Sequence, residues 1–202
     1  MQHATSASGR TLSGISNPRM GVTEVVIKGD SEYQTSREQA AYQIGILLGA
    51  PVVPGFVCDG RWVSILVADL EEFSDVTRNV PFEERTQWMR NRLDPMLLAR
   101  MAVFDYMIIN LDRHGGNWGF SGDDVILFDH NLAFDDRLGK MCRDFPADPD
   151  LVKREWARAT KIVTPSVMEA VGSQCGLDRV KIDVAVSQLT SPISWAPWAR
   201  NV

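Results

Sequence analysis

Apolar positions in this chain follow one rhythm in the first seventy residues and another afterwards. "VTEVVIKG", residues 22–29, is a short apolar run that reads as a strand ending at Gly29. "TSREQAAYQIGILLG", residues 35–49, places Ala41, Ile44 and Leu48 at helical spacing and closes at Gly49. "PVVPGFVCDGRWVSILVADL", residues 51–70, reads as two strands joined by the "CDGR" turn. Later the helical period dominates. "FEERTQWMRNRL" and "PMLLARMAVFDYMIIN" read as helices separated at Pro95. "DVILFD" is a short strand after an "SGDD" turn. "DPDLVKREWARATK" and "TPSVMEAVGSQCG" read as two more helices, the second with Thr164 as N-cap and Pro165 at its first position. The opening twenty residues, including "SGISNPRMG" (13–21), read as turn or loop, and the tail "SPISWAPWARNV" as irregular. The pattern predicts an α+β chain with a small strand-rich N-lobe, residues 1–72, and a mostly helical C-lobe, residues 73–202. The division is expected between Asp69 and Val80.

Composition narrows the setting. With 202 residues, 45% hydrophobic and 23% charged, the chain suits one compact domain with a real core. A net charge of −5 gives no sign of a general nucleic-acid or membrane-surface binder. Cys58, Cys142 and Cys175 are widely spaced and make neither a disulfide framework nor a metal knuckle, which points to a reducing compartment. The start, "MQHATSASGR", lacks the apolar core of a secretion signal. The longest apolar run, Met101–Leu111, is too short to span a bilayer and is broken by Asp105. The expected location is cytoplasmic.

The chemistry concentrates in "NLDRHGGNWGF", residues 110–120, and "VILFDHNLAF", residues 125–134. Phosphoryl transfer from ATP needs a cation on the phosphates, an acid to orient that cation, a base for the acceptor hydroxyl and oxygen ligands for Mg²⁺. Lys28 at a strand end can supply the cation, and Glu38 on the next helix can pair with it. Asp112 can act as base, with Asn117 five residues on as a metal amide. Asp129, at the end of a strand, can supply the metal carboxylate. Each residue also has a structural reading. Glu38 follows Thr35 by three residues and fits a capping box. Asp112 can cap the glycine turn after it, and His114 can serve as a base or satisfy its loop. His130 reads as structural or substrate-facing. Asp105 reads as a buried polar anchor or as exposed on one helix face.

"NLDRHGGNWGF" with "ILFDHNLAF" resembles the catalytic and metal-binding loops of the HipA-like and phosphatidylinositol 3/4-kinase-like branch of the protein kinase superfamily. There the loop runs roughly N-x-D-R-H-x-x-N. "EVVIKG" and "REQAAYQIGILLGAPVVP" are similar to the lysine strand and glutamate helix of small bacterial HipA-like kinase domains. The resemblance covers about Val22 to Arg137. It implies a bilobal kinase-like fold using ATP and Mg²⁺, with Asp112 as base and Asn117 and Asp129 as metal ligands. It further implies Lys28 on the phosphates, Glu38 as its partner, and Arg113 and His114 shaping the catalytic loop. The adenine is expected against the Ile65–Glu72 connection, at Val67, Asp69 and Leu70. No G-x-G-x-x-G run is present, so Ser8, Gly9, Ser13, Gly14 and Ser16 are the residues available to cover phosphates. "DHN" stands in place of D-x-G, which gives Asn131 the backbone role of the glycine. The implied activity is a Ser/Thr protein kinase with a protein acceptor. Lipid or small-molecule phosphorylation, nucleotidylation and non-catalytic nucleotide binding are its alternatives. A metal hydrolase built on Asp112, His114 and Asp129 lacks a second histidine at ligand spacing.

Overall fold

The computed structural model describes residues 3–5, 11–17, 21–28, 31–67, 69–110, 112–134 and 145–190; in the strands before Val25, and at Lys28, it describes the backbone alone. Five antiparallel strands build the front sheet: β1 (His3–Thr5), β2 (Thr11–Asn17), β3 (Gly21–Lys28), β4 (Gly55–Cys58) and β5 (Arg61–Ile65). Their order is β1-β2-β3-β5-β4. Residues 13–17, expected as loop, belong to β2. All seven β2 residues pair with β3, from Thr11 opposite Ile27 to Asn17 opposite Gly21. Serine and glycine are poor strand formers alone, but partners on both sides override that preference. The β4–β5 hairpin turns through Asp59 and Gly60, both left-handed at φ 50° and 72°, as a two-residue turn of Asp-Gly type requires.

Helix α1 (Glu32–Leu48) starts earlier than the pattern predicts. Its N-cap is Ser31, whose side chain accepts from the Gln34 amide. Thr35 is already inside the helix and donates its hydroxyl to the Gly60 carbonyl at 3.1 Å. Glu38 is therefore not a capping-box residue. Ala40, Ala41, Ile44 and Leu48 are buried in the core. Gly45 allows the following chain to approach, because a Cβ there would lie 2.6 Å from Cγ1 of Val52.

The back of the molecule holds α2 (Phe73–Val76), α3 (Arg85–Arg92), α4 (Pro95–Met107), α5 (Pro149–Ile162), α6 (Pro165–Gln174) and α7 (Arg179–Thr190). A second antiparallel sheet runs β6 (Leu70–Glu72), β7 (Trp118–Ser121) and β8 (Asp124–Leu127), in that order. One hydrophobic core joins α1 to α4 and to the last three helices. Polar links reinforce this joint. Arg100 and Arg158 donate to the carbonyls of Gly49 and Leu48 at 3.3 and 2.7 Å, closing the C-terminus of α1. Both arginines pair with the buried Glu155, at 3.2 and 2.5 Å. The Leu127 amide donates to Pro51 and the Val53 amide to Leu127, so the chain after α1 is tied to β8.

Candidate active site

The loop after α4 owes its shape to a helix end under strain. Asp94 caps the start of α4 by accepting from the Leu97 amide at 2.8 Å. At the other end, Asn110 N–H donates to Asp105 O and Ile109 N–H to Tyr106 O, a Schellman pattern. The left-handed residue of that pattern is usually glycine, but here it is Ile109 at φ 51°. The conformation costs roughly 1–2 kcal/mol. Burying the Ile109 side chain, worth about 1.5–3 kcal/mol, offsets it.

Asp105 is the buried anchor. Its carboxylate accepts from Arg113 Nε and Nη2, both at 3.0 Å, and from Asn110 Nδ2 at 2.9 Å. Arg113 Nη1 donates in addition to the carbonyls of Asn117 and Phe128. One buried guanidinium thus holds α4, the 112–117 loop and the segment entering Asp129.

That clamp brings three predicted residues together. Asp112, Asn117 and Asp129 line one open pocket with Glu72, His114 and Asn131. Asn117 Nδ2 donates to the Asp112 carbonyl at 2.7 Å and to its Oδ2 at 3.2 Å, leaving Oδ1 as the acceptor end of the amide. Asn131 does not take the left-handed backbone expected of it. Asp129 itself does, at φ 60°, a conformation that aspartate tolerates better than most residues. His114 is exposed; its Nδ1 accepts from the Gly116 amide at 3.1 Å and its Nε2 lies 3.8 Å from Asp112 Oδ2. Glu72 was not singled out from the sequence as a pocket-facing side chain. It reaches the pocket because β6 lies beside β7, where a Cβ on Gly119 would come within 2.1 Å of the Glu71 carbonyl. Nothing in the local sequence signals that pairing.

Helix α1 contacts the loop that lines this pocket. Lys28 ends β3 opposite Trp62; its side chain, and so its pairing with Glu38, lies outside the described residues. Glu38 is buried, with Oε2 3.4 Å from His130 Nδ1. Burial lowers the pKa of His130, a tendency the Glu38 carboxylate opposes. Arg37, one residue earlier, donates to the Asn131 carbonyl at 3.1 Å. Ser13 and Gly14 lie within β2, opposite Val25 and Glu24, whereas Ser8 and Gly9 fall outside the described residues. Val67 and Leu70 line an apolar pocket with Val26, Val53, Ile65 and Phe128. Asp69 is exposed at the turn between them, at φ 54°. Phe128 and Asp129, adjacent in the chain, line the apolar and the polar pocket respectively.

Among the described residues no cluster of three or more His, Cys, Asp or Glu could hold a metal. The pair Asn117 and Asp129 offers one amide and one carboxylate, both hard oxygen donors. That set fits Mg²⁺, which binds one or two protein oxygens and completes its shell with phosphate and water.

No family model matches the chain, and no curated protein matches it. Among solved structures it is similar to a Helicobacter pylori proinflammatory kinase, CtkA, with a TM-score of 0.63 at 12% identity, over 90% of this chain and 89% of that one. The fold is kinase-like. The strand-rich front and helical back expected from the sequence are the two parts of that kinase-like α+β architecture. No described helix is long and apolar enough to cross a membrane.

Proposed function

We propose that this chain is an ATP-dependent phosphotransferase of HipA-like type that transfers the γ-phosphate to a serine or threonine hydroxyl of an acceptor protein. The observation that carries the reading is the convergence of Asp112, Asn117 and Asp129 on one pocket, braced by Arg113 and adjoining an apolar pocket at the lobe connection. Asn117 and Asp129 would hold Mg²⁺, which when bound neutralises charge on the phosphates. The adenine would lie among Val26, Val53, Val67 and Leu70, with its phosphates toward Asp129. Lys28 would contact the α and β phosphates, with Glu38 holding it. Asp112, steadied by the Asn117 amide, would take the acceptor proton as that oxygen attacks the γ-phosphorus and ADP departs. Arg113 and His114 would keep the loop in shape.

Incubation with ATP, Mg²⁺ and a cell lysate tests this, with label at the γ or the α phosphate in parallel. The reading expects γ label on protein serine or threonine and no α label. Label from the α position would replace it with nucleotidylation. Label confined to lipid or a small molecule would change the acceptor class, and no transfer would leave nucleotide binding alone.

A further inference from the structure

We propose that His130 is the positioning residue for Glu38, holding its carboxylate through an Nδ1–H hydrogen bond. The functional part of this inference rests on the phosphotransferase reading; the hydrogen bond does not.

His130 and Glu38 are each 2% exposed, with Nδ1 and Oε2 3.4 Å apart. Phe104 meets the imidazole edge to face at 5.5 Å. Nε2 is buried and has no hydrogen-bond partner among the described residues. Two tautomers compete in this setting. With the proton on Nδ1, the donor faces the carboxylate and only a lone pair is buried at Nε2. With the proton on Nε2, an N–H is buried unpaired and a lone pair faces a carboxylate oxygen. A buried unpaired donor is costly, and so is a lone pair against an anion, so the first arrangement is selected.

A second link runs beside the first. Arg37 holds the Asn131 carbonyl, so consecutive residues of α1 grip consecutive residues of the loop after Asp129. The place of Glu38 is thereby set from the metal-side loop. The carboxylate that would orient Lys28 and the carboxylate that would hold the metal then move as one unit. The "DHN" sequence acquires a reason: its middle residue reaches across to α1.

The chain has three histidines, so imidazole ¹⁵N–¹H spectra can be assigned with His130→Asn as reference. The expected spectrum has His130 protonated on Nδ1, with that signal shifted in Glu38→Gln. A proton on Nε2, or no response to Glu38→Gln, overturns the proposal without reference to turnover. Kinetics give the second test. Asn places an amide donor near the Nδ1 position, whereas Phe keeps a ring without one. His130→Phe should lose roughly 10–150-fold in kcat/KM for ATP, the scale of one hydrogen bond to a charged group. His130→Asn should stay within about 3-fold, and Phe should cost nothing further in the Glu38→Gln background. Equal losses in the Asn and Phe variants at matched melting temperature would overturn the positioning role. A wild type that shows the Nδ1 proton but transfers no phosphate would overturn the phosphotransferase reading instead.

Discussion

Replacing Arg113 with methionine should damage stability and turnover together, and the structure sets the scale. The side chain is 1% exposed and forms a two-point ion pair with Asp105, itself 9% exposed at the side chain. It also holds two backbone carbonyls, of Asn117 and Phe128. Among the described residues, methionine leaves the buried Asp105 carboxylate with Asn110 alone as a donor to its side chain. Breaking a buried pair in this way typically costs about 3–5 kcal/mol. For a domain of this length each kcal/mol moves the melting temperature by roughly 2–4 °C, which gives a drop of roughly 6–20 °C. Arg113→Lys keeps the charge but not the fork, so it should recover only part of the loss. Removing the anion as well separates the two effects. Asp105→Leu with Arg113→Met should melt higher than Arg113→Met alone, because no charge is then stranded. Its turnover should stay low, since the guanidinium that ties the Asn117 and Phe128 carbonyls to α4 is gone, although the Phe128 amide still reaches the Asn117 carbonyl at 3.1 Å. Thermal and urea unfolding with label transfer on the same samples provide the assay. An Arg113→Met protein melting within 2 °C of wild type would show that Arg113 is not a clamp, as would full turnover in the double variant.

Asp112→Ala should lower turnover by roughly 10²–10⁴-fold, the usual reach of a general base, while Mg·ATP titration stays near wild type. Burial would raise the Glu155 pKa, but hydrogen bonds and charge from Arg158 and Arg100 bring it below the ordinary 4.5. Because the folded value is the lower one, this stabilisation is complete above about pH 4.5 and drains away as pH falls through the folded pKa. Glu155→Gln should therefore flatten the acid limb of melting temperature against pH. The Cys175 thiol is buried and pushed up to about 11, whereas Cys58 is exposed. Iodoacetamide at neutral pH should label Cys58 in the native protein and Cys175 only after unfolding, as peptide mass spectrometry can show.

What could be read in advance followed from local physics. The polar crowding after α4 marked the pocket, and Asp105 within an oily helix was readable as an anchor because a lone buried acid needs a partner. Its partner Arg113 lies beyond a chain reversal that depends on Ile109 accepting a left-handed backbone, which no propensity predicts. The same limit hid β2 and β7. "SGISN" becomes strand only through β3, and "WGFS" only because Phe73 stacks on Trp118 at 4.3 Å and Gly119 admits β6. The start of α1 was misplaced since Ser31 and Thr35 are both competent caps. Only the fold shows that the Thr35 hydroxyl is engaged by Gly60. Helix α7, which the sequence pattern left unassigned, is amphipathic only weakly and settles against the core through Ile182, Ala185 and Leu189.

Titration of Asp129→Ala with Mg·ATP and with adenosine tests the metal-ligand role of Asp129 directly. The variant should fold and bind Mg·ATP more weakly, because the triphosphate then meets an incompletely neutralised site. Adenosine, which has no phosphates, should bind as it does to wild type. If Asp129 only turns the chain after β8, the variant should lose melting temperature and nothing else. Unchanged Mg·ATP affinity in a folded Asp129→Ala protein would contradict the phosphotransferase assignment.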